Sequence, residues 1–162
     1  MVRRSTLVAL GATRDFGLWS ASALVLVTLA IFGQCSELGA LHVDDWVYLD
    51  AKSPIRDGLT LAGIRSAFSS IDAPYWHPLT RLSFMVDFQV AGNRYGWFHV
   101  VNVVLHAGMA LLLGPLLHSL TGMRNSSLAA ALLWAVHPLR VESVAWLAER
   151  KDVLSGRRIM GR

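Results

Sequence analysis

A chain of 162 residues that is 54% hydrophobic, with a mean hydropathy of +0.45, is too apolar for an ordinary soluble domain and reads as an integral membrane protein or a piece of one. Its net charge of +4 does not indicate a nucleic-acid partner, because the basic residues are scattered or flank apolar segments and form no stripe with interleaved aromatics. One cysteine, Cys35, excludes an internal disulfide.

The first fifteen residues carry Arg3, Arg4 and Arg14 against Asp15, and the run from Phe16 to Ser36 is uncharged. A bilayer core needs about 20 apolar residues as a helix, so residues 16–36 are predicted to be the first transmembrane helix. Basic residues ahead of it put residues 1–15 in the cytoplasm and the loop after it on the opposite side of the membrane. A cleaved signal peptide is the competing reading, weakened by the length of the run and by the apolar segments downstream.

Residues 37–96 hold seven acids and five basic residues, too many to span, yet they are rich in aromatics and leucine. This stretch is predicted to be an extracytoplasmic loop lying on the membrane surface. It opens with Leu41–Asp50, LHVDDWVYLD, where Asp44 and Asp45 are adjacent and Trp46 and Tyr48 suit the boundary between hydrocarbon and water. In an extended backbone the two carboxylates point to opposite sides, which suggests separate tasks, one toward a substrate and one toward a hydrogen-bonding partner or cation. A solvated Asp-Asp loop accounts for these ten residues equally well.

Within the same loop, Leu61, Ile64 and Phe68 recur at helical spacing with Arg65 off the stripe, as in a short amphipathic helix broken by Asp72 and Pro74. Pro78 then suits a first helical turn, and Leu79, Leu82, Met85, Val86 and Val90 form a second predicted apolar stripe ending near Gly92.

Between Trp97 and Met123 there is no charged residue, and residues 97–118 are predicted to be the second transmembrane helix. His99, Asn102 and His106 make one polar stripe on it, which must face a helix partner or a cavity. Residues 119–125 form a cytoplasmic turn. Residues 126–139 are uncharged but short, and are read as a third transmembrane helix that crosses with tilt or local thinning. Pro138 starts a charged segment, 140–155, on the side of Asp44. There Glu142 and Glu149 are predicted to share a helix face, with Arg150 and Lys151 beyond; local ion pairs on a solvated helix explain them as well.

Taken in order, VDDWVYL, YWHPLTRLSFMVD, FHVVNVVLHAGMALLL and AVHPLRVESVAWLAERKDVLS resemble the membrane part of the transmembrane tetratricopeptide-repeat proteins. These are similar to protein O-mannosyltransferases, within the lipid-sugar-dependent membrane glycosyltransferases. The resemblance runs from about Phe16 to Ser155 and is most specific in its last block. It implies an all-α integral membrane fold and inverting transfer of a sugar, mannose being the expected one, from a polyprenyl or dolichyl phosphate to an acceptor protein hydroxyl. Such a reaction needs a base on the acceptor and positive charge on the leaving phosphate.

By that resemblance Asp44 is the expected base, and Asp45 orients the acceptor or holds a divalent cation, with Glu142 as a second acidic contact and further metal candidate. Arg150 and Lys151 would meet the lipid phosphate, and His77, His99, Asn102, His106 and His137 would line the cavity without assigned chemistry. No other cofactor is implied. A bacterial inner membrane is expected ahead of the endoplasmic reticulum. The family's further membrane helices and repeats do not follow Ser155; the basic tail 156–162, GRRIMGR, departs from its pattern. The expectation is an N-terminal part that is inactive alone.

Two readings from other classes accompany this one. A non-catalytic membrane scaffold would use the surface loop to bind a partner or lipid headgroups. A metal-handling or ion-conducting protein would use His99, His106, His137 and Glu142.

Overall fold

The computed structural model describes residues 16–40, 45–50, 52–69 and 76–155; Asp44, the predicted cytoplasmic stretch 1–15 and the basic tail 156–162 lie outside them. Every element among the described residues is helical. The first apolar run forms α1, Leu18–Phe32, prolonged by a 3-10 turn, Gly33–Glu37, and the combined 20 residues are long and apolar enough to cross a membrane. A one-turn helix α2, Trp46–Leu49, a 3-10 turn, Pro54–Asp57, and two short helices, α3, Leu61–Ser69, and α4, Pro78–Ala91, make up the loop. Helix α5, Tyr95–Thr121, is the second spanning candidate, with 27 residues.

The third segment is α6, Arg124–Ala135, followed by α7, Leu139–Ala145, and the two together qualify as one span bent by 63°. The break falls at His137, the residue before Pro138, where the proline ring disfavours a helical backbone. A 3-10 turn, Leu147–Glu149, and α8, Arg150–Ser155, complete the described chain. This is an all-α membrane protein, and among the described residues two helices are long and apolar enough to cross, or three if the bent pair crosses as one.

Helices α1, α5 and α6 pack up, down, up. Phe16 at the start of α1 meets His118 near the end of α5, and Phe32 at the other end meets His106. Arg124, opening α6, donates to Ser20 Oγ and stacks over Trp19, so α6 runs parallel to α1. Their shared core contains Phe16, Leu24, Ala110, Leu128, Ala131 and Ala135. The small residues matter because helices in lipid gain little from apolar burial and associate by close backbone approach. At Gly114 a Cβ would sit 2.7 Å from the Phe16 ring. Leu26, Leu112, Leu120 and Leu133 face outward on these helices, as a lipid-exposed surface requires.

All the other elements gather at the end of the bundle where α1 finishes and α5 begins. There Tyr48, Phe84, Phe88, Phe98, Leu147 and Ala148 form a second core. Tyr48 is buried in it, 5.2 Å from Phe84 between ring centroids, and not at the water boundary that its sequence position suggested. The predicted α4 stripe is also corrected. Thr80, Phe84, Met85, Asp87 and Phe88 point inward, while Leu79, Val86 and Val90 are exposed. Helix α3 buries only Gly63 and Ala67 and turns Leu61 and Phe68 outward. That leaves an apolar helix face turned away from the rest of the protein.

Two measurements check this packing. Gly114→Leu overfills the α1–α5 contact and is expected to cost about 1–3 kcal/mol, read as a lower melting temperature in detergent by circular dichroism. A nitroxide at Phe68→Cys is expected to be more accessible to oxygen dissolved in lipid than to an aqueous nickel reagent, and one at Arg65→Cys the reverse; equal accessibility would remove α3 from the membrane surface.

Candidate functional site

Asp45 is buried, at 1% exposure, where the chain enters α2. Its backbone carbonyl accepts from the N–H groups of Tyr48 and Leu49 at 3.0 and 2.8 Å, which turns the segment back on itself. Its carboxylate Oδ1 accepts the backbone N–H of Ala148 at 2.8 Å, across 103 residues of sequence. The second of the paired acids is therefore fixed to the last block of the chain. A charge-assisted bond of this kind is among the stronger hydrogen bonds available to a buried carboxylate.

The block that holds Asp45 is itself held. Asn102 on α5 donates through Nδ2 to the carbonyls of Val144 and Trp146 at 3.2 and 3.4 Å, and its Oδ1 accepts from Arg150 Nε at 2.6 Å. Arg150 is fully buried. Its Nη2 donates to the Phe98 carbonyl at 2.8 Å, its Nη1 to Ser83 Oγ at 3.3 Å and to the Asp87 carboxylate, and its guanidinium lies 4.1 Å above the Phe84 ring. Asp87 also accepts the Trp97 indole N–H at 3.2 Å. Burial pushes the Asp87 carboxyl above its ordinary value and the Arg150 guanidinium below its own, against their mutual attraction. Asp87 and Ser83 escaped the sequence reading, although their i, i+4 spacing beside Phe84 and Phe88 was a usable signal: a lone acid between aromatics on a helix.

The other expected site residues fall in several places. Glu142, in the first turn of α7, is exposed and contributes the charge to a cavity of about 400 Å³ walled by Leu38, Gly39, Ala40, Val141, Ala145 and Trp146. Residues 38–40 run directly into the acidic-pair segment, and the Trp146 indole N–H is buried with no hydrogen-bond partner among the described residues. Glu142 and Glu149 do not share one helix face, as their spacing suggested. Trp146 has extended backbone at φ −94° and ψ 123°, which ends α7 and places Glu149 in a separate turn. Asn102 bonds to the carbonyls on either side of that break.

Lys151 is partly exposed and bonds to Glu149 at 2.8 Å. That partner and nearby acids raise its ammonium, although burial alone would lower it. His99 Nε2 lies 3.3 Å from the Gly39 carbonyl, and His106 Nε2 lies 2.9 Å from the Ala135 carbonyl, so both turn into the bundle. His77 is half-buried ahead of α4, and His137 is exposed at the α6–α7 break, its Nδ1 accepting from Leu139 N–H. Among the described residues no group of three or more His, Cys, Asp or Glu side chains could hold a metal ion.

Geometry thus unites Asp45 with the 144–150 segment, and sets Glu142 in a mainly apolar cavity walled on one side by residues 38–40. Of the expected site acids among the described residues, Asp45 is held in place, while Glu142 is exposed at that cavity. The comparisons agree with a membrane transferase lineage. The human protein O-mannosyl-transferase TMTC4 is 38% identical over 93 residues, which is 49% of this chain and 13% of that protein. The Caenorhabditis elegans protein O-mannosyl-transferase F38B6.6 is 31% identical over 146 residues, 81% of this chain and 21% of that protein. Human protein O-mannosyl-transferase TMTC1 is 29% identical over 154 residues, 88% of this chain and 17% of that protein. No family profile and no solved structure matches the chain. The chain spans only 13%, 21% and 17% of these three relatives, and over that shared segment it is similar to protein O-mannosyl-transferases.

Proposed function

We propose that this chain supplies the acidic wall of a membrane glycosyltransferase site, transferring mannose from a polyprenyl phosphate to a serine or threonine hydroxyl of an acceptor protein. The observation that carries the reading is the bond from Ala148 N–H to the buried Asp45 carboxylate, because it joins the acidic pair of VDDWVYL to HPLRVESVAWLAERKDVLS, the block in which the resemblance is most specific. In this reading Asp44 takes the proton from the acceptor hydroxyl as oxygen attacks the anomeric carbon and the phosphate leaves with the glycosidic electron pair. Asp45, anchored by Ala148, fixes the direction from which Asp44 approaches.

Glu142 contacts the acceptor across the apolar cavity, and Asp45 and Glu142 are the side chains on which a divalent cation would be sought. Lys151 is the cation assigned to the lipid phosphate. Arg150, expected from sequence to share that role, is given a different one because its donors are taken up by Asp87, Ser83, Asn102 and Phe98. The acidic pair lies on the extracytoplasmic side in this scheme, with the N-terminus in the cytoplasm. The family resemblance implies further membrane helices, and in this reading they complete the cavity.

The test uses the chain by itself and the chain grafted in place of the matching segment of human TMTC1, each reconstituted with polyprenyl-phosphate mannose and a serine- or threonine-bearing peptide. Transfer by the graft is expected to fall by about two to four orders of magnitude in Asp44→Asn, the range attributed to one positioned general base. A graft that transfers mannose equally well with Asp44→Asn and Asp45→Asn would refute the assignment. A correctly inserted graft with no transfer would favour the scaffold.

A further inference from the structure

We propose that Arg150 is a positioning residue for Asp45, acting through the turn at Trp146–Glu149, a role that rests on the functional reading above only for its catalytic consequence. The turn has two sides. On one, Asn102 grips the carbonyls of Val144 and Trp146, and Arg150, immediately after the turn, is locked to α4 by Asp87 and Ser83 and to α5 by the Phe98 carbonyl and Asn102. On the other, Ala148 presents its N–H to Asp45.

Arg150 and Ala148 are two residues apart and both buried, so moving the guanidinium moves the amide that fixes the carboxylate. A planar guanidinium with five donors in fixed directions can tie four acceptors on two helices at once; an ammonium cannot. The buried pair thereby connects a spanning helix and a surface helix to the placement of an acid at the membrane face.

The experiment is amide hydrogen exchange on the chain in lipid nanodiscs, comparing wild type with Asn102→Ala and with the double variant Arg150→Met/Asp87→Leu, which removes both charges together and leaves neither orphaned. The expected result is exchange about tenfold faster or more at the peptides covering 45–50 and 147–150, with the peptides of Leu18–Phe32 and Tyr95–Thr121 unchanged. In the TMTC1 graft the same variants are expected to lower kcat while leaving KM for the lipid donor in place. They should add no further loss once Asp45→Ala is present.

Unchanged protection at 45–50 in a folded double variant would overturn the proposal. So would loosening spread equally through the spanning helices, which would make the pair a general determinant of folding. Should the wild-type graft prove inactive, the exchange experiment still decides the positioning role, while the transferase reading alone fails.

Discussion

The buried pair of Arg150 and Asp87 is the constraint on which the extramembrane half of this protein depends. Taking both charges out of water is costly, and the raised Asp87 carboxyl and lowered Arg150 guanidinium show burial outweighing attraction. Packing alone would be served more cheaply by two apolar side chains. What the pair adds is direction: Nη1 points to α4 while Nε and Nη2 point to α5, so α4, α5 and the chain after α7 meet in one arrangement. The aromatic rings of Phe84 and Phe98 close over the guanidinium and exclude water from it.

That arrangement links two scales of the molecule. Within the bundle, α1, α5 and α6 pack through Phe16, Leu24, Leu128 and small residues such as Ala110, Gly114 and Ala131, with Leu26, Leu112, Leu120 and Leu133 turned outward. At the membrane face the core changes to aromatic residues and buried polar bonds. Asn102 stands at the junction. It is on a spanning helix, fully buried, and holds the turn that carries Ala148. A polar side chain is tolerated at that depth because each of its polar atoms has a partner.

Much of this was legible in the sequence. The uncharged runs announced the spanning helices, since charge is what a bilayer excludes, and Pro78 and Gly92 marked the bounds of α4. Which face of α4 turns inward was not legible. A helix between a protein core and a lipid surface is apolar on both sides, and hydropathy does not distinguish Phe84 facing protein from Val90 facing lipid. The fate of Arg150 was hidden for another reason. In AERKD it stands among charges that look solvated, and its acid partner is 63 residues away. Local spacing carries no trace of a pairing that only the tertiary fold creates. The turn at Trp146 was missed for the same reason, because the side chain that bonds its carbonyls belongs to α5.

Phe98 adds a consequence for the anatomy of the chain. It sits in the first turn of the long spanning helix, yet it is fully buried in the core built from Tyr48, Phe84, Phe88 and Leu147. The core outside the bundle is therefore not closed by its own elements alone: one of its rings is on loan from the spanning helix. A soluble excision ending before Tyr95 would lose that ring together with Leu147, Ala148 and Arg150, and would leave Asp87 without its buried cation. The dependence runs one way: the surface lobe borrows from the membrane anchor, while the bundle keeps a core of its own.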